Sequence, residues 1–316
     1  MLFLLGSVLK AGGFRRGGTK RRSSRSKRWS KSAQTLFASW AVIGQMGAIG
    51  VLVGEALEPQ LAKAQITTIP GKAACADGSA SASGTGAFAI GRCATASGFG
   101  AQASGVKANA QGTVATASGY QATASGYATA TGGFAKANGD YSTASGYEAK
   151  ASGLSAVALG DSANASANNA MALGLKANAQ ASDAIAIGAE ARVNGTYTYG
   201  IAVGQKSEVI GADGIAIGQN TTAGKGSLSL GACSKATGAN SIALGNQAYT
   251  VFDNTIAFGS QSNADAKNAT ALGSMAKATA ANSTAVGVGA SATGISGSTA
   301  IGKGAISNGT YSVALG

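Results

Sequence analysis

Few residues in this chain are equipped for covalent or metal chemistry. Its 316 residues include 12 Asp and Glu, three Cys and no His. Without an imidazole there is no Ser-His-Asp triad and no histidine metal ligand. The acids beyond the first 64 residues are scattered singly, and the calcium-binding Gly-Gly-x-Gly-x-Asp nonapeptide does not occur. The stretch GVGASA, residues 287–292, partly mimics a dinucleotide loop, but no strand–helix–strand unit surrounds it. Cys75, Cys93 and Cys233 are odd in number. A Cys75–Cys93 bridge and unpaired thiols are both open readings. The chain is therefore expected to be no enzyme, with no cofactor, no metal and no catalytic residue. What its side chains can do is make noncovalent contacts. RVNGTYTYG, residues 192–200, gathers Arg192, Asn194, Thr196, Tyr197 and Tyr199. These groups supply a guanidinium, an amide, a hydroxyl and two phenols at one break in an otherwise regular spacing. Loops at such breaks often carry specificity, so these five residues are the first candidate ligand contacts.

The spacing they interrupt is a repeat. Gly160, Gly174, Gly188, Gly204, Gly218, Gly231, Gly245, Gly259, Gly273, Gly287, Gly302 and Gly316 each close an apolar pentad. The interval is 14 residues with few exceptions, the longest being the 16 from Gly188 to Gly204. Upstream the glycines fall seven apart, as in Gly98, Gly105, Gly112, Gly119 and Gly126, with a one-residue slip before Gly139. A unit is thus two seven-residue halves, each a short strand closed by a turn. A helix would lose about 1 kcal/mol at each such glycine relative to Ala. The spacing predicts a parallel β-solenoid with one unit per coil and two strands per coil. Residues 84–316 would make roughly 16 or 17 coils, a rod on the order of 80 Å long.

Counting back from the closing glycine separates two faces. Two residues before it the side chain is small: Ala158, Ala172, Ala186, Ala202 and Ala216. That rank must look into the narrow inside of the coil. One and three before it the side chains are large and apolar: Val157 and Leu159, Met171 and Leu173, Ile185 and Ile187, Ile201 and Val203, Ile215 and Ile217, Leu228 and Leu230, Ile242 and Leu244, Ile256 and Phe258. After the glycine, position +2 is mostly polar and +3 is small, as in Lys176 and Ala177, so the second strand is read as alternating polar-out and small-in. One strand per coil therefore carries an apolar outer face that its own chain does not cover. Fully buried, each such side chain would contribute about 1.5–3 kcal/mol. A stripe of this length exceeds the few hundred Å² that soluble monomers expose. Self-association about a central axis covers it, because every coil presents the same stripe and cyclic symmetry closes the contact. The rival is a monomeric solenoid that uses the stripe to bind a ligand. The aromatics Tyr120, Tyr127, Phe134, Tyr141 and Tyr147 follow turns and are expected to cover coil edges, a contact surface near the distal tip being the other reading.

The net charge of +12 belongs mostly to the first 64 residues, which hold 11 of the 24 Lys and Arg and two of the 12 acids. The body keeps only a small positive excess, so no nucleic-acid partner is expected. The basic stretch at residues 10–31 precedes an uncharged run from Ser32 to Gly54 and then Ala62-Lys63-Ala64. Basic, apolar, then A-x-A is the order of a secretory signal. Residues 1–64 are read as an extended signal peptide, cleaved after Ala64 and before Gln65 with Ala62 at the other small position. Residues 65–83 are read as an irregular lead-in, and 84–316 as the repeat body.

NNAMALG (168–174), ANSIALG (239–245), DNTIAFG (253–259), KNATALG (267–273) and ANSTAVG (281–287) resemble the head repeats of YadA-type trimeric autotransporter adhesins. The resemblance covers residues 84–316. It implies an all-β fold, a left-handed parallel β-roll assembled as a homotrimer, with the apolar stripe as the trimer core. It implies export to the bacterial cell surface and outer membrane, and binding of host matrix proteins such as collagen, fibronectin or laminin. Such adhesins continue into a stalk and a C-terminal membrane barrel. This sequence stops within the repeats, so it is read as truncated, with membrane contact only through a missing anchor. The alternative function is a structural or ice-ordering secreted solenoid, which would need long aligned Thr-x-Thr ranks.

Overall fold

The computed structural model describes residues 78–316. The leader, its expected cleavage site at Ala62, Ala64 and Gln65, and Cys75 lie outside the described residues. The described chain is all-β. It winds as a solenoid in which three-residue strands such as Ile185–Ile187 alternate with two-residue strands such as Arg192–Val193. Two sheets result, one of long strands and one of short strands, each with 17 strands. Every pairing is parallel and joins a residue to its equivalent one coil on: Ile185 to Ile201, Ala186 to Ala202, Ile187 to Val203. The ladder continues through the turns. The Ile185 amide donates to the Gly200 carbonyl at 2.9 Å, the Gly188 amide to Leu173 at 2.7 Å and the Glu190 amide to Leu175 at 2.8 Å. This accounts for the strict period, since a coil of different length must break either its pairing or a turn. The first short strand, Ser81–Ala82, already pairs with Thr95–Ala96, so the solenoid starts a few residues before Gly84.

The inside of the coil is a column of methyl groups. Ala158, Ala172, Ala186 and Ala202 are fully buried, as are Ala151, Ala165 and Ala179 from the opposite strand. Two short sheets this close leave room for little else. One exception shows how strictly volume is kept. Val193 and Val209 replace Ala in the short-strand column and are among the largest fully buried side chains. Facing them, Gly200 and Gly214 occupy, on two successive coils, the position that Ala184 holds in the coil before them. A Cβ on Gly200 would lie 2.7 Å from Val193 Cγ1 and 3.1 Å from Val209 Cγ1. Overpacking of this kind costs about 1–3 kcal/mol. Gly200→Ala is expected to lower thermal stability by that amount, and Val193→Ala in the same chain is expected to restore most of it. Equal melting of Gly200→Ala and the parent would contradict this volume exchange.

The two edges of the coil differ. From long strand to short strand the step is always seven residues, as in Thr116 to Thr123, Ile185 to Arg192 and Thr284 to Ser291. Every change of coil length falls in the other turn. It is one residue shorter between Thr123 and Thr129 and between Thr222 and Leu228. It is two longer between Arg192 and Ile201 and one longer between Ser291 and Thr299. The constant turn carries the closing glycine. Gly188 has φ +126°, and a Cβ there would sit 2.5 Å from the Gly204 carbonyl oxygen. The residue two positions on, Glu190, is left-handed at φ 59°. The polar +2 positions therefore belong to this turn. The outward residue of the short strand is at +4, as with Asn178 and Arg192, so the alternation read from +2 and +3 starts two residues early.

Candidate interaction surfaces

The motif residues of each coil divide the structural tasks. In ANSIALG, Asn240 adopts φ 55°, a left-handed value that Asn accepts more readily than most residues. Its equivalents stack along the solenoid: Asn254 Nδ2 donates to Asn268 Oδ1 at 3.4 Å, and Asn268 Nδ2 to Asn282 Oδ1 at 3.1 Å. Ser241 is buried and its hydroxyl donates to the Gly238 carbonyl at 2.7 Å, which offsets the cost of burying a polar group. Thr255 does the same to the Phe252 carbonyl at 2.7 Å. Ala243 fills the interior and Gly245 makes the turn. Only the residues on either side of the Ala, Ile242 and Leu244, have no task within their own chain.

Those residues form the stripe. Along eight successive long strands, from Val157–Leu159 to Ile256–Phe258, neither outward side chain of any strand is buried. Met171, Leu230, Ile242 and Ile256 are each 37% exposed and Phe258 is 52% exposed. Coverage comes from the neighbouring rungs, which is why most members are half-buried. The stripe continues as Leu272, Val286, Ile301 and Leu315, with Thr270, Thr284 and Thr299 beside the first three. Upstream it changes character. Long strands Gln102–Ser104, Thr116–Ser118, Thr129–Thr131 and Thr143–Ser145 present polar, mostly hydroxyl, side chains at the same two positions. Carrying the count back from Gly160 to Gly105 exposes this block in the sequence. Thr and Ser are so ordinary in strands that the change escapes a reading that starts from apolar residues.

The expected contact loop is the two-residue insertion in the variable turn. Arg192 opens it from the short strand, exposed, between Asn178 and Glu208 on the neighbouring strands. The Tyr197 amide donates to the Asn194 carbonyl at 3.1 Å and closes a tight turn, with Thr196 exposed at its tip. Coil pairing resumes where the Tyr199 amide meets Ser182 at 3.2 Å. Tyr197 is half-buried and Tyr199 is 62% exposed. All five residues thus lie at one edge of one coil. The one-residue insertion within residues 293–297 carries no polar signal in the sequence comparable to RVNGTYTYG, yet it exposes Ile295 to 84% on the same variable turn.

The aromatics do cover edges, and they divide between both. Tyr120, Phe134 and Tyr147 form an edge-to-face ladder on the glycine turn, with centroids 5.1 and 5.7 Å apart. Tyr127 and Tyr141 stack at 5.0 Å on the variable turn. Cys93 is disulfide-bonded and Cys233 is a free, exposed thiol. Among the described residues no group of three or more His, Cys, Asp or Glu is placed to hold a metal. Among them, too, no helix is long and apolar enough to cross a membrane, which says nothing of β-barrels.

Comparison with known proteins follows the repeat. The family model described as the YadA head domain repeat matches residues 127–149, 151–177, 166–191, 198–221, 223–248, 253–276, 265–290, 278–296 and 296–316, more than half of the chain. No curated protein matches. Among solved structures the chain is similar to the collagen-binding domain of the Yersinia adhesin YadA. The identity is 23%, over 52% of this chain and 68% of that one, with a TM-score of 0.23.

Proposed function

The chain belongs to the YadA head-repeat family, and from that premise we propose that it is the head of an exported surface adhesin, assembled as a homotrimer through the long-strand stripe. The observation that carries the reading is the stripe itself. Its side chains have no partner within the coil, recur at every rung from Val157 onward, and all lie on one sheet. Three copies around an axis cover all of them with a single repeated contact. The outer surfaces and turns are then left for a ligand, and three equivalent sites raise avidity.

The ligands are host extracellular matrix proteins, with collagen, fibronectin and laminin as the first to test. Binding runs through the inserted turn, where Arg192, Tyr197 and Tyr199 supply the residue types that dominate interface energetics. The chain is expected to bind at least one of these immobilised proteins saturably. A variant with Arg192, Tyr197 and Tyr199 all changed to Ala is expected to bind at least about tenfold more weakly at unchanged molecular mass. Equal binding by the variant would move the site elsewhere, and binding to none of the matrix proteins would overturn the matrix assignment. A water-ordering solenoid would need hydroxyl ranks along a whole face, and paired outward hydroxyls occupy only a short run of rungs, Thr116–Ser118 to Thr143–Ser145.

A further inference from the structure

A stripe that repeats every coil has a defect as an interface. Three such rods can slide past one another by one rung, about 4.8 Å, and again meet apolar on apolar. Along the eight rungs from Val157 to Phe258 both outward positions are apolar, and little in that run distinguishes the true alignment from the slipped one. β-Sheets and coiled coils face the same problem, and a buried polar position at a fixed place resolves it.

This chain has such a place. The long-strand face is apolar at Phe88 and Ile90, polar at both positions from Gln102 to Ser145, and apolar again from Val157, with a single Thr per rung only at Thr270, Thr284 and Thr299. The change is complete within one rung at each end. The occupant of the face is a second copy of the same chain, on grounds of area. At about 50 Å² apiece, the apolar side chains from Val157 to Leu315 expose on the order of 1,000 Å², more than the roughly 800 Å² per partner of a standard interface. The coils of the polar block, in contrast, are supported from within their own chain. The Tyr120–Phe134–Tyr147 and Tyr127–Tyr141 ladders lie on the edges of these coils and pack ring on ring inside one protomer.

We propose that the polar block between Gln102 and Ser145 sets the axial register of the assembled head. The inference rests on the self-association proposed above. In register, hydroxyls meet hydroxyls around the axis and can hydrogen-bond or hold water between them. Slipped by one rung, Thr143 and Ser145 of one protomer face Val157 and Leu159 of another, and buried hydroxyls lose their partners. At the other end Ile90 faces a polar rung. The apolar stripe thus drives assembly, and the polar block decides which of its near-equivalent alignments forms.

Disulfide trapping tests this in the full chain, with Cys233→Ser removing the free thiol. One chain carries Ile187→Cys and a second, distinguishable by a tag, carries Ile217→Cys. These positions are two rungs, about 9.6 Å, apart along the axis, beyond the roughly 7 Å Cα limit for a disulfide. With the native block, co-assembled chains are expected to trap 187–187 and 217–217 pairs and almost no 187–217 pair. With Thr116, Thr129, Thr131 and Thr143 all changed to Val, the 187–217 pair is expected to rise at least about tenfold, which the loss of one unpaired buried hydroxyl permits. A milder variant, Thr129→Val with Thr131→Val, is expected to shift in the same direction should the fourfold variant fold poorly. Same-rung pairs alone in whichever variants fold would overturn the register assignment while leaving assembly intact. Absence of same-rung pairs in the native block would instead overturn the self-association beneath it.

Discussion

Ile187→Asp is expected to disrupt assembly, whereas Glu190→Lys leaves it unchanged. The two residues are three apart in sequence and lie on different surfaces. Ile187 is half-buried on the long strand, in rank with Leu173 and Val203. Glu190 is exposed in the glycine turn at φ 59°, a position that other coils fill with Lys206, Gln261 or Met275. In a trimer an Asp at position 187 appears three times around the axis. It brings three carboxylates close together with no basic partner in the stripe. Each unpaired buried charge costs several kcal/mol even after relaxation, comparable to the apolar contacts of its own rung, and three of them meet at one level. The substitution does not touch the Ala column inside the coil, so the variant is expected to keep its β-structure as a monomer. Sedimentation of the two variants beside the parent provides the check. If both variants sediment like the parent, the two faces of the long strand have been assigned wrongly.

Gly188→Ala is expected to be strongly destabilising for a change of a single methyl group. At φ +126° an L residue is strained by about 1–3 kcal/mol before any contact is considered. The added carbon would also meet the Gly204 carbonyl oxygen at 2.5 Å. That carbonyl cannot swing aside freely, because the adjoining peptide is held in the ladder by the Gly204 amide donating to Ile187 at 2.7 Å. Both the turn and the next coil must therefore shift. Because a solenoid is stabilised mainly by nearest-neighbour contacts, the break is expected to split melting into two transitions, one on each side of the coil. Gly289 provides the contrast. It also has positive φ, +66°, but in the left-handed region, with open space where a Cβ would go. Asn220 occupies the equivalent position at φ 53°. Gly289→Asn is expected to leave the melting temperature unchanged or slightly raised through the lost freedom of the unfolded chain. A Gly188→Ala variant that melts as one transition at the parental temperature would refute the account of this turn.

Much of this architecture is legible in the sequence because one physical constraint repeats. The interior admits only small side chains, so the Ala rank from Ala158 to Ala314 marks the inside directly. The apolar residues on either side of each Ala must then point out. Other features are hidden because different structural roles select the same residue types. Lys176 in the turn and Asn178 on the short strand both face water, so polarity alone does not locate the start of the strand. Glycine spacing gives the length of a coil, and only the pairing of both strand types shows that every change falls in the variable turn. The Val193–Gly200 exchange is invisible without knowing that the two side-chain positions face each other. For the proposed contact residues, the sequence locates the insertion from Arg192 to Tyr199. The fold adds that the insertion lies opposite the constant glycine turn and leaves Tyr199 exposed.

The central claim is that the long-strand stripe is covered by copies of the same chain. The mass in solution of the chain from Gln65 onward, measured by light scattering or equilibrium sedimentation, tests it most directly. Three times the chain mass, maintained on dilution, is the expected result. A stable, soluble monomer before any dilution would contradict this coverage.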